Sequence, residues 1–105
     1  MSIEDQKVVD LIGTEKDGTV VLTITDHLEW TDTKHLQMLQ DKLNSYLAFI
    51  ESGEIFEAFS TDKNSEIAIS VTCKYEPSEE GVEFLSKCKE IINGAGFKFS
   101  YETGT

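Results

Sequence analysis

The chain has 105 residues, with 20 Asp and Glu against nine Lys and no Arg, for a formal net charge of −11 at pH 7. That length holds one core of ordinary domain size, so the chain reads as a single domain over residues 1 to 105, with an ordered core from about 7 to 102. Nucleic acids and anionic membranes are held by Lys and Arg that neutralise phosphates, so a polyanion without guanidinium groups is excluded from both classes, and a basic protein is the better-matched partner.

The first seven residues are polar and acidic, with neither a basic start nor an apolar run of signal-peptide length, and no later apolar run approaches the roughly 18 to 20 residues that span a bilayer. A cytoplasmic location is the expectation. Val8, Val9, Leu11 and Ile12, then a loop from Gly13 to Gly18 and a β-branched run from Thr19 to Thr25, predict a hairpin in which Gly18 supplies the positive φ. Leu36, Leu39, Leu43, Tyr46, Leu47 and Ile50 then recur at three- and four-residue spacing, which predicts a helix over 31 to 52 with Thr31 as N-cap, Asp32 in its first turn and Gly53 as the left-handed cap.

Residues 54 to 59 read as an edge strand between Gly53 and a turn-like cluster at 60 to 65. From Glu66 to Tyr75 the apolar Ile67, Ile69, Val71, Cys73 and Tyr75 alternate with Ala68, Ser70, Thr72 and Lys74, as in a strand covered on one face. Ser78 reads as the N-cap of a second helix, with Glu79 and Glu80 in its first turn, an inner stripe of Val82, Leu85, Cys88, Ile91 and Ile92, and an end at Asn93 and Gly94. A last strand puts Phe97, Phe99 and Tyr101 on one face, and 102 to 105 read as a frayed tail. The strand, cap and helix spacing occurs twice, once from Val21 and once from Ala68.

These elements predict an α+β two-layer sandwich, a mostly antiparallel sheet with two helices on one face, in a ferredoxin-like βαββαβ order with an extra N-terminal strand. Leu39, Leu43, Leu47, Ile69, Val71, Leu85 and Phe99 are its expected core. Cys73 and Cys88 fall on apolar periods and outside any CxxC pair, which makes them buried thiols and neither a zinc site nor a disulfide.

The densest polar constellation is Asp26, His27, Glu29, Asp32 and His35, between the second strand and the first helix. Imidazole with carboxylate can hold a metal or exchange protons, yet two histidines eight positions apart across a loop match no ligand spacing, and acids before a helix serve its dipole. No phosphate-binding glycine loop, nucleophile elbow or zinc-protease helix is present, so no catalytic residue, cofactor or metal is assigned and an enzyme is not expected. Two acidic clusters stand out: Glu51, Glu54 and Glu57, then Glu76, Glu79, Glu80 and Glu83. They are the candidate docking residues for a basic protein.

The stretch Asp26-His27-Leu28-Glu29-Trp30, followed by His35-Leu36, Leu39-Gln40, Lys42-Leu43-Asn44, Tyr46-Leu47 and the run from Phe49 to Glu54, resembles a family of short, acidic, uncharacterised bacterial proteins, catalogued as a domain of unknown function. The resemblance runs from about Val8 to Tyr101 and implies a bacterial, cytosolic, stand-alone domain, with no catalytic residue to transfer. Function is therefore expected to be that of a small interaction domain, a partner or inhibitor of a basic protein. The alternatives are a small-molecule or metal-binding protein using the region from Asp26 to His35, and a homodimer formed through a sheet edge or face.

Overall fold

In the computed structural model of the protein, residues 11–31, 34–58 and 66–104 are described; Val8, Val9, Asp32 and the turn cluster at 60 to 65 lie outside them. The first hairpin forms as its residues dictate. Strand β1 (Leu11–Thr14) pairs antiparallel with β2 (Val20–Asp26), and between them Gly18 takes φ 91° while the Asp17 carboxylate accepts the Thr19 N–H. That bond holds the Asp17 carboxyl below its usual range.

Helix α1 (His35–Glu51) follows, then a short helix α2 (Glu54–Ala58), strand β3 (Ile67–Cys73), helix α3 (Glu79–Gly94) and strand β4 (Lys98–Thr103). The sheet runs in the order β1-β2-β3-β4, with β2 to β3 and β3 to β4 both parallel. It is mixed, which corrects the mostly antiparallel expectation, and the described residues form three helices where two were expected. The origin of both differences is residues 54 to 58. Gly53 turns the chain at φ 85°, the Ser52 hydroxyl accepts the Glu54 N–H, and the Phe56 N–H reaches the Gly53 carbonyl, so the segment coils and buries Ile55. Glu54 and Glu57, three apart, then share the outer face. Residues 54 to 58 therefore supply a helix where the βαββαβ plan needs a strand, and β2 and β3 are parallel neighbours.

Both crossovers step the same way along the sheet. Right-handed crossovers therefore carry α1 and α3 to one face, and both run antiparallel to the strands they follow. The burial pattern agrees: Val20, Leu22, Ile24, Ile67, Ile69, Val71, Cys73 and Phe99 form the covered face, against Leu39, Leu43, Tyr46 and Ile50 of α1, Ile55 of α2, and Leu85 and Ile92 of α3. Of the expected core only Leu47 is half-buried. On the other face Thr23, Ala68, Ser70 and Thr72 are half-buried, and Thr25, Lys74, Lys98 and Ser100 are exposed.

Three boundaries shift. Helix α1 begins at His35, with Lys34 at the N-cap position making no side-chain cap bond, because His35 is anchored on Asp26 at the end of β2 and Thr31 lies in a turn. The buried stripe of α3 is Gly81, Leu85 and Ile92; Val82 is 41% exposed and Ile91 67%. The helix is rotated by about one position from the expected stripe because Gly81 faces Trp30, leaving no room for a side chain: a Cβ there would lie 2.6 Å from the indole Cε3. The left-handed residue after α3 is Gly96, and Glu102 and Thr103 belong to β4, which the Gly104 N–H extends by bonding to the Cys73 carbonyl.

Candidate functional site

Among the five residues singled out between β2 and α1, the fold joins two. Asp26 ends β2 on the covered face, and His35 opens α1 directly above it; their side chains are both fully buried, with Nε2 2.5 Å from Oδ2. The His35 Nδ1–H donates to the Glu29 carbonyl at 3.0 Å, since a carbonyl can only accept. The Nε2–Oδ2 contact is a second hydrogen bond of the ring, and mutual hydrogen bonding of this kind is what makes a buried polar pair tolerable without water.

The enclosure is complete. Asp26 spends its second oxygen on the Leu28 N–H at 3.1 Å, the Trp30 ring lies over His35 with centroids 4.1 Å apart, and the indole N–H donates to the Tyr75 carbonyl at 3.0 Å. His27 is exposed, Glu29 takes part through its backbone with its side chain outside, and Asp32 is outside the described residues. Both ring nitrogens of His35 are committed, and among the described residues no three His, Cys, Asp or Glu groups converge on one point. The arrangement can seal the β2–α1 connection; it offers no open nitrogen to a ligand.

Cys73 stands next to Asp26 in the β2–β3 register and is fully buried. Burial, reinforced by the Asp26 charge, pushes its thiol up to about 12, and burial alone pushes Cys88 up to about 11. Neither is paired in a disulfide. A thiol held protonated in this way is a poor nucleophile. In open α/β sheets the usual ligand crevice forms where neighbouring crossovers leave to opposite faces, and here both leave to the same face.

The periodicity did not single out Lys42. It lies on the inner side of α1, fully buried, with Nζ 5.6 Å from the centre of the Tyr46 ring one turn on, and the Tyr46 hydroxyl donates to the Thr23 carbonyl of β2 at 3.1 Å. The only sequence signal was its place beside Leu39, Leu43 and Tyr46 on the apolar period.

The two acidic clusters lie at opposite ends of the helical layer. Both α1 and α3 descend from the C-terminal ends of their strands, so Glu76, Glu79, Glu80 and Glu83 gather at the upper end, and Glu51, Glu54 and Glu57 at the lower; all seven are exposed. Between them α1 and α3 leave a groove of about 210 Å³, apolar along Leu43, Leu47, Phe84, Cys88 and Ile91. Sequence reading missed it because a helix gap is a product of packing.

The whole chain, residues 1–105, matches a family of unknown function, DUF6572. This protein belongs to the DUF6572 family. No curated protein and no solved structure matches it. Among the described residues of this DUF6572 chain, no helix is long and apolar enough to cross a membrane.

Proposed function

We propose that this DUF6572 protein is a small interaction domain that binds a basic protein. The observation that carries the reading is the pairing of an apolar groove with acidic clusters at both of its ends, on a chain of net charge −11. Apolar contact supplies affinity at the centre of such a surface, and charge at the rim speeds encounter and rejects acidic competitors. The enclosed Asp26–His35 pair agrees with this reading, because its polar atoms are used within the fold, while the helical face carries an open apolar groove. The two unpaired cysteines suit a reducing compartment, and we assign the binding to the cytoplasm.

The test is an affinity capture at two salt concentrations, comparing the wild type with a variant in which Glu51, Glu54, Glu79 and Glu80 are changed to Lys. The expected result is recovery of basic proteins by the wild type at low salt, and their loss from the variant. The difference narrows at high salt, as the Debye length falls from about 10 Å at 0.1 M to about 3 Å at 1 M. Equal recovery of every protein from both baits overturns the reading.

A further inference from the structure

We infer that the groove between α1 and α3 takes one amphipathic helix of the partner, apolar along its inner stripe and basic at both ends. This rests on the interaction reading above and specifies what fills its surface. The lining residues of α1 step through Gln40, Asn44 and Leu47, and the next position on that stripe is Glu51; those of α3 step back from Ile91 through Lys87 and Phe84 to Glu80. Each helix therefore carries its groove stripe into a glutamate, one at the lower mouth and one at the upper. The rest of each acidic cluster stands beside that glutamate.

A helix is the occupant whose shape fits a trough between two helices that both run antiparallel to their strands, its i, i+3, i+4 and i+7 side chains meeting the apolar floor. A partner of about 17 residues, the length of α1, spans about 25 Å and reaches both mouths. Beside Glu51 lies a separate depression suited to a cation: half-buried Phe56 lines it together with Glu51 and Glu57, a bed for a lysine stem with carboxylates at its head. On the groove wall itself Lys87 lies one turn from Glu83 and one from Glu90, two carboxylates against its single positive charge.

The experiment uses the full chain and three synthetic peptides of about 17 residues. The first carries leucine at helical spacing with lysines at both ends, the second replaces those lysines with glutamates, and the third has the composition of the first in scrambled order. Binding is measured by calorimetry, and the contacted amides by NMR. The first peptide is expected to bind at least tenfold more tightly than the other two and to shift amides of Leu47, Cys88 and Ile91. Ile91→Glu, at a position 67% exposed and so neutral for folding, should weaken it at least tenfold, and Glu51→Lys with Glu80→Lys should weaken it at low salt only.

Equal binding of the scrambled peptide, or an Ile91→Glu variant that binds like the wild type, overturns the helix-in-groove inference. If the four-fold charge reversal still abolishes capture of basic proteins in that case, the interaction reading survives without it. Sedimentation showing a dimer that Ile91→Glu dissociates also overturns the inference, by giving the groove to a second copy of this chain. Binding of the first peptide that Ile91→Glu weakens, with NMR shifts confined to the groove and its mouths, supports it.

Discussion

The molecule contains the same plan twice, β2 with α1 and β3 with α3, lying parallel and side by side, and the two copies are closed by different physics. After β3 the chain reaches its helix through residues 74 to 78, and the Ser78 hydroxyl accepts the Gly81 N–H at 3.1 Å, a local cap. After β2 it takes residues 27 to 34, and the N-cap residue of α1, Lys34, makes no side-chain cap bond. That longer connection is held by the enclosed Asp26–His35 pair, the Glu29 carbonyl and the Trp30 ring that spans to the second copy through Tyr75. A short connection is satisfied by its nearest neighbours, and a long one must draw on groups distant in sequence.

The sharpest way to break the comparison is at His35. His35→Ala leaves the Asp26 carboxylate enclosed without its partner, which costs about 3–5 kcal/mol in denaturant unfolding, whereas replacing both residues by apolar ones of similar volume costs less. A single-variant loss below about 1 kcal/mol would mean that water reaches the pair. A second large effect appears at alkaline pH, where the copies touch. Cys73, in register with Asp26, keeps its proton to about 12 in the fold against an ordinary 9.0, so the folded state binds the proton more tightly. The stabilisation is present in full below pH 9.0 and is lost as pH rises toward 12, at up to about 1.4 kcal/mol per pH unit for one proton. Cys73→Ala should flatten that slope between pH 9.5 and about 11 in thermal melts; an unchanged slope assigns it to other groups.

The same contrast explains how much was legible in the sequence. Local chemistry was: Ser78 as a cap and Gly18 and Gly53 as left-handed turns appear as read, and the alternation expected from Glu66 to Tyr75 holds from Ile67 to Cys73, with Tyr75 exposed beyond the strand, because each depends on residues within a few positions. Tertiary choices were not. Thr31 failed as a cap because His35 is drawn down to Asp26, and α3 turned its stripe to Gly81 because Trp30 arrives from the other copy. Residues 54 to 58 coil because Ile55 is wanted in the core, a demand that Glu54 and Glu57 at helical spacing hinted at. In the candidate site, Asp26 and His35 were named together, and their enclosure came from packing. The acidic clusters were plain in composition, and the groove that joins them was not.

Gly81 is where the two copies can be pushed apart most gently. Its added Cβ in Gly81→Ala would meet Trp30 Cε3 and Cζ3 at 2.6 and 2.8 Å, and the indole cannot yield without leaving His35 or the Tyr75 carbonyl. Overpacking of this kind costs about 1–3 kcal/mol, less the gain in helix propensity of alanine over glycine. Trp30, the sole tryptophan, reports the displacement directly as a red-shifted, more solvent-like emission. An unshifted spectrum with undiminished stability would show that the ring has slack to move.

The smallest expected effect tests the local closure. Ser78→Ala removes the hydroxyl that accepts the Gly81 N–H and should cost about 1 kcal/mol, the usual value of a lost N-cap, while Ser78→Asp should retain the cap. The aspartate would join Glu79 and Glu80 in the first turn of α3, where the helix dipole favours negative charge and the neighbouring carboxylates oppose it. Because the opposing charges are exposed, salt should favour the aspartate variant relative to the wild type, and its deficit, if any, should close between 0.1 and 1 M. A loss in Ser78→Ala as large as that in His35→Ala would dissolve the distinction between the copies, since it would mean that the short connection also depends on contacts beyond its own turn.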